Sequence, residues 1–115
     1  SLNQNDYKKL IDNKKLIDNK GTIKISFPYG INGIISDIYE YSFDKFDLYN
    51  LIQITKQFYN SELTKKEYKK INKEAEVNLE NLKIKNRKDI LKLTNQCFIE
   101  ELVYNNGVYS LRIGS

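Results

Sequence analysis

The chain contains no His, no Met and no Trp, and only one Cys and one Pro in 115 residues. The lack of His removes the commonest general base and the commonest metal ligand. A lone Cys97 excludes an internal disulfide framework and a cysteine zinc site, and it suits a reducing compartment. With no His to activate it, and lying on what reads as an apolar helix face, Cys97 is expected to be a small buried hydrophobe. No apolar run approaches the ~18 to 20 residues that span a bilayer. The opening SLNQNDYKKLIDNKK lacks the apolar stretch of a secretory leader. These absences point to a cytoplasmic protein. The carboxylates form no calcium-loop string or paired-acid motif, and Gly30-Ile31-Asn32-Gly33 is too short and glycine-poor for a phosphate loop. Nothing in the sequence marks an enzyme, and neither a cofactor nor a metal is expected.

What is there is 17 Lys, 15 Ile, 14 Asn and 9 Tyr, just under half of the chain. All four residues have AT-rich codons, so an AT-rich genome alone would inflate lysine. The charge is nonetheless uneven. Residues 1–30 carry six Lys against three Asp, while 31–63 carry two Lys against five acids. Residues 64–97 carry ten basic side chains against five acids, a net +5, and 98–115 carry one Arg against two Glu. With 40% hydrophobic and 30% charged residues, the composition is that of one folded domain.

Residues 8–19 are a tandem hexamer, KKLIDN twice, which replication slippage explains more cheaply than a solenoid. Tyr7, Leu10 and Ile17 still fall near one face, so a helix is expected over 1–20, ended by Gly21. Residues 22–27 alternate, with Ile23, Ile25 and Phe27 on one face of a half-buried strand. Pro28, Gly30 and Gly33 break it. The stretch 34–43 reads either as a short helix through Ile34, Ile35 and Ile38, or as a strand with Ile35, Tyr39, Tyr41 and Phe43 paired back on the first. Asp44 is expected to cap the next helix, with Phe43 stapled to Leu48, ending near Asn60. Thr64-Lys65-Lys66-Glu67 is a capping box for a long helix that buries Tyr68, Ile71, Ala75, Leu79 and Leu82. Asn86-Arg87-Lys88-Asp89 opens a short one that buries Ile90, Leu91 and Leu93.

The last segment holds the sharpest local signal. Two apolar runs flank Asn105-Asn106-Gly107, and Asn-Gly is the preferred type I′ hairpin dipeptide. With Asn106-Gly107 as the turn, Tyr104 faces Tyr109, Leu102 faces Leu111 and Glu101 faces Arg112.

Basic residues are patterned on the helices. Lys66, Lys69, Lys70 and Lys73 form a narrow stripe opposite the core face. Like charges at i,i+4 cost ~0.2–0.5 kcal/mol per pair, which phosphates would offset. Lys88, Lys92 and Asn95 share the exposed side of the short helix, with Lys83, Lys85, Asn86, Arg87 and Gln96 close by. Arg, Asn and Gln are the side chains that read base edges in a major groove. A solvated face of a lysine-rich protein accounts for the same residues without a partner.

Helix, strand, helices and then strand–turn–strand is an order that resembles the winged helix-turn-helix family. Asn86-Arg87-Lys88-Asp89-Ile90-Leu91-Lys92-Leu93 looks like the recognition helix, Cys97-Phe98-Ile99 like the exit into the sheet, and Tyr104-Asn105-Asn106-Gly107 like the wing tip. The 64–82 helix is long for the family, and the link from Leu82 to Asn86 is not its glycine-containing turn. The resemblance implies one α+β winged-helix-like domain over 1–115, with three to four helices, a small antiparallel sheet and a hairpin wing over 98–113. It further implies a possible homodimer that binds double-stranded DNA through the basic helices and the wing, as plasmid and phage regulators or DNA-transfer accessory factors do. The rival expectation is a protein-binding inhibitor, antitoxin or immunity module using the acidic 31–63 segment or the aromatic surface.

Overall fold

A computed structural model of the chain describes residues 19–96 and 98–114. The helix expected over the first residues and the burial of Cys97 fall outside them. The described chain is α+β, and no helix in it is long and apolar enough to cross a membrane. Strands β1 (Asn19–Ser26) and β2 (Tyr39–Phe46) precede helices α1 (Leu48–Asn60), α2 (Lys65–Ala75) and α3 (Arg87–Leu93); β3 (Phe98–Asn105) and β4 (Val108–Gly114) follow.

The four strands form one sheet in the order β2-β1-β4-β3. The sheet is mixed, correcting the expectation of an antiparallel one. β1–β2 and β3–β4 pair antiparallel, but the central strands β1 and β4 run parallel, Ile25 beside Tyr109. Across the sheet, Tyr39, Ile25, Tyr109 and Tyr104 stand in one row on the helix-facing side. The opposite face is polar, with Thr22 beside Ser42, Lys24 beside Glu40 and Glu101 beside Arg112. Period-two alternation in β1, β2 and β4 is what separates these faces. The hairpin register is Tyr104 with Tyr109, Leu102 with Leu111 and Glu101 with Arg112, whose ion pair measures 3.0 Å. Asn106 and Gly107 take positive φ at 52° and 81°, as a type I′ turn requires.

The core lies between this sheet and the helices. Phe27 of the β1–β2 connection stacks on Phe58 of α1 with ring centroids 4.3 Å apart, and Tyr59 meets both edge-on. Ile23, Ile25, Leu51, Ile71, Leu79, Ile90, Tyr109 and Leu111 are among its other members.

Three element boundaries differ from expectation. Asn19 and Lys20 belong to β1, and Gly21 (φ 90°) lies within the strand instead of ending a helix. There the register slips, and two residues of β2, Asp44 and Lys45, oppose one of β1. This bulge shifts the alternation so that Phe43 and Phe46 both turn towards the core, their rings 5.5 Å apart. Of the ambiguous stretch 34–43, the part from Tyr39 is strand, whereas 34–38 is irregular apart from an isolated bridge between Ile35 and Pro28. Asp44 stays extended, and it is Asp47 that caps α1, Oδ1 accepting from the Asn50 amide at 2.9 Å.

Helix α2 stops at Ala75 instead of running to Leu82. Glu76 adopts the left-handed conformation, and the Asn72 side chain captures the returning chain, accepting from the Leu79 amide (2.9 Å) and donating to Glu80 (2.7 Å). Leu79 is buried from this turn, while Leu82 is exposed. Side chain to backbone bonding of this kind competes directly with helix propagation.

Candidate functional site

Two sequence features converge on the N-terminus of α2. The capping box forms in full: Thr64 Oγ1 accepts from the Glu67 amide, and Glu67 Oε1 from the Thr64 amide at 3.0 Å. Position 67 also lies one turn before the buried Ile71, so the Glu67 side chain points into the protein. Arg87, three residues before the buried Ile90, points inward from α3. The two meet: Arg87 Nε donates to Glu67 Oε2 at 2.9 Å and Nη2 to Oε1 at 2.7 Å. Arg87 Nη1 donates to the Phe58 carbonyl, and its guanidinium lies 4.3 Å from the Phe58 ring centroid. The Tyr29 hydroxyl donates to the same carboxylate.

Burial would raise the Glu67 carboxyl, but the hydrogen bonds from Arg87, the Thr64 amide and Tyr29 together hold it below the usual carboxylate range. Burial and the bond to Glu67 push the Tyr29 hydroxyl far above its ordinary value. The cluster is thus a carboxylate, a guanidinium and a neutral phenol, each satisfied, tying α2, α3, α1 and the β1–β2 connection together.

Outside this cluster lies a cleft of about 300 Å³. It is lined by the buried Tyr29 and Glu67, the half-buried Tyr39 and the exposed Asp37 and Lys66, with Thr64 and Lys70. Lys66 Nζ bonds Asp37 Oδ2 at 2.9 Å, which raises the lysine above its ordinary value and keeps it charged. Lys70 Nζ donates to the Ile35 carbonyl at 2.9 Å. Beside the cleft, Lys66, Lys69, Lys70 and Lys73 line a shallower depression of about 340 Å³, with Glu74 the one acid there.

Of the expected DNA contacts, Lys66, Lys70 and Lys73 are therefore brought together. Lys83, Lys85, Lys88, Lys92, Asn95 and Gln96 line neither hollow. Arg87 is placed against expectation, 7% exposed, with its guanidinium engaged by Glu67 and Phe58. Asn86 donates its amide to Asp89 Oδ2 at 3.0 Å and starts α3. Asn95 (φ 59°) ends it in the left-handed conformation, while the Gln96 amide bonds the Leu91 carbonyl at 2.8 Å. At the hairpin, Tyr104, Asn105 and Asn106 are all exposed, Tyr104 at 48%, and the Tyr104 ring also packs on Tyr109 with centroids 4.7 Å apart. Val108, the first residue after the turn, pairs with Lys24. Phe27, next to Ser36 and Asp37, lies three residues further along the chain, about 10 Å at strand rise.

Sequence reasoning missed Tyr29, Asp37, Tyr39 and the second role of Glu67. The available signal was a charged residue on each of two apolar helix faces, Glu67 with Ile71 and Arg87 with Ile90, carrying opposite signs. No protein-family model, curated protein or solved structure matches the chain.

Proposed function

We propose that the protein binds nucleic acid through the phosphate backbone, with Lys66, Lys69, Lys70 and Lys73 of α2 as the contact surface. The observation that carries this reading is the depression these four side chains line with a single acid among them. Like charges so close raise each other's cost, and phosphates relieve it, the ammonium groups taking the place of the cations condensed on the nucleic acid. Each ammonium carries three donors, so Lys66 and Lys70 keep donors free beyond their bonds to Asp37 and Ile35. Duplex DNA, the partner expected from the sequence, presents the phosphates such a stripe requires.

Within the winged-helix resemblance, α3 would enter the groove and the β3–β4 hairpin would be the wing. The burial of Arg87 and the seven-residue length of α3 favour α2 over α3 as the main contact. Lys83, Lys85, Lys88 and Lys92 then serve as flanking phosphate contacts, and Asn105 and Asn106 as wing contacts. Binding should accordingly be tight at low salt and weakly selective in sequence, since phosphate contacts position without specifying. Titration of the protein into a labelled random duplex at rising salt tests this, with affinity expected to fall steeply.

A second reading has its own observation. Ile35 and Ile38 are 51% and 55% exposed on the segment that Lys66 and Lys70 reach. Apolar side chains flanked by lysines suit an acidic protein surface. Folded protein that binds no nucleic acid at low salt would favour this reading.

A further inference from the structure

The cleft and the lysine stripe share Lys66 and Lys70 but differ in chemistry. The stripe is cationic and shallow. The cleft is walled by two tyrosines, Tyr29 and Tyr39, and by two carboxylates, Asp37 and Glu67. A phosphate is unwelcome beside those carboxylates, because like charges a few ångströms apart repel. A neutral, flat, polar group is not. It would meet aromatic surface on the walls and find an acceptor in Asp37, which stays exposed next to its ion pair with Lys66. At about 300 Å³ the cleft lies at the small end of ligand pockets, which run from roughly 300 to 1,000 Å³. That is room for one ring system, not for a drug-sized ligand.

Resting on the nucleic-acid reading, we infer that the cleft takes a single unpaired base from a strand whose phosphates lie along Lys66, Lys69, Lys70 and Lys73. The spatial division explains why both hollows sit side by side: the charged backbone follows the lysines, and the neutral base turns off it into the tyrosine-walled cleft. In a duplex the bases are stacked and paired, and extruding one costs a few kcal/mol, so the preferred ligand is single-stranded. Asp37 only accepts hydrogen bonds, so it favours the two-donor exocyclic amine of cytosine over thymine, whose single edge N–H sits between two carbonyl oxygens that a carboxylate repels. The Asp37–Lys66 pair, exposed on both sides, is weak enough to open for such a contact. Tyr39 would supply the ring on which the base rests. Its hydroxyl is held protonated by burial, and its ring is anchored against Phe27 and Phe58 at 6.2 and 5.7 Å.

The test compares labelled oligonucleotides of one length against the intact protein: single-stranded oligo-dC, single-stranded oligo-dT, the same backbone with abasic sugars, and a duplex. Oligo-dC should bind about tenfold more tightly than the abasic strand, well within what stacking one base on an aromatic side chain supplies. It should also exceed both oligo-dT and the duplex. Tyr39→Phe should keep this preference and Tyr39→Leu should abolish it. Because the abasic strand alters no residue, the outcome stands even if Tyr39→Leu fails to fold. Equal affinity for abasic, intact and duplex ligands would overturn the base-binding inference and leave the phosphate reading in place. Absence of binding to all four would overturn both.

Discussion

Glu67 and Arg87, from two helices separated by a turn-rich segment, are joined by two hydrogen bonds of 2.7 and 2.9 Å in the interior, each side chain about one-tenth exposed or less. The pair's geometry has a consequence for Arg87. The residue that composition and position nominate as a reader of bases is a structural member of the core.

Arg87→Ala should therefore behave as a folding mutation. Removing one partner of a buried pair leaves an uncompensated charge and typically costs about 3–5 kcal/mol. Chemical denaturation should show a loss of that order, with any loss of nucleic-acid affinity following the unfolded fraction. A stable Arg87→Ala protein that had lost only binding would restore Arg87 to the interface.

The same carboxylate sets an acid limb. Its folded-state value lies below normal, so its stabilisation is complete above the ordinary carboxyl pKa of about 4.3 and is lost as pH falls through the depressed value. Melting temperature should fall as pH drops from about 4.3 through that depressed value. Glu67→Gln should lower stability at neutral pH and flatten the acid limb. An unchanged limb in Glu67→Gln would show that other carboxylates control it.

Thr55 is fully buried on α1, and its hydroxyl has no hydrogen-bond partner among the described residues. Thr55→Val removes an unsatisfied group at nearly constant volume, so it should be neutral or stabilising by up to about 1 kcal/mol. A clear loss of stability would reveal a partner for that hydroxyl.

Tyr104 and Asn105 should separate stability from affinity at the hairpin. Tyr104→Ala loses the ring contact with Tyr109, and such pairs contribute ~0.5–1.5 kcal/mol beyond burial. Asn105→Ala should leave the melting temperature unchanged. Equal stabilities for the two variants would contradict the placement of Tyr104 on the core side.

Much of the fold was legible where local chemistry acts alone. Asn106-Gly107 carried the hairpin register, Thr64 and Glu67 the start of α2, and Ile23 and Ile25 the buried face of β1. What failed were features decided by another part of the chain. The bulge at Asp44 and Lys45 follows from bringing Phe46 onto Tyr109, 5.2 Å between rings, and no pattern within 44–47 announces it. The end of α2 depends on Asn72 reaching Leu79. The parallel pairing of β1 with β4 joins the two ends of the described chain. The site was half visible: the lysine stripe has helical spacing, but Tyr29, Asp37 and Tyr39 reach the cleft from segments whose conformation the sequence left open.

The most direct test compares salt dependence. Lys66, Lys69, Lys70 and Lys73 changed together to Gln should be set beside a control with Lys24 and Lys56 changed to Gln. Each lysine that releases a counterion contributes about 0.9 to the slope of log affinity against log salt on duplex DNA, or about 0.7 on a single strand. The quadruple variant should lose roughly three units of slope and most of its affinity at low salt, with its melting temperature intact and the control unchanged. Equal slopes for the quadruple variant, the control and the parent protein would contradict the assignment of the α2 stripe as the phosphate-binding surface.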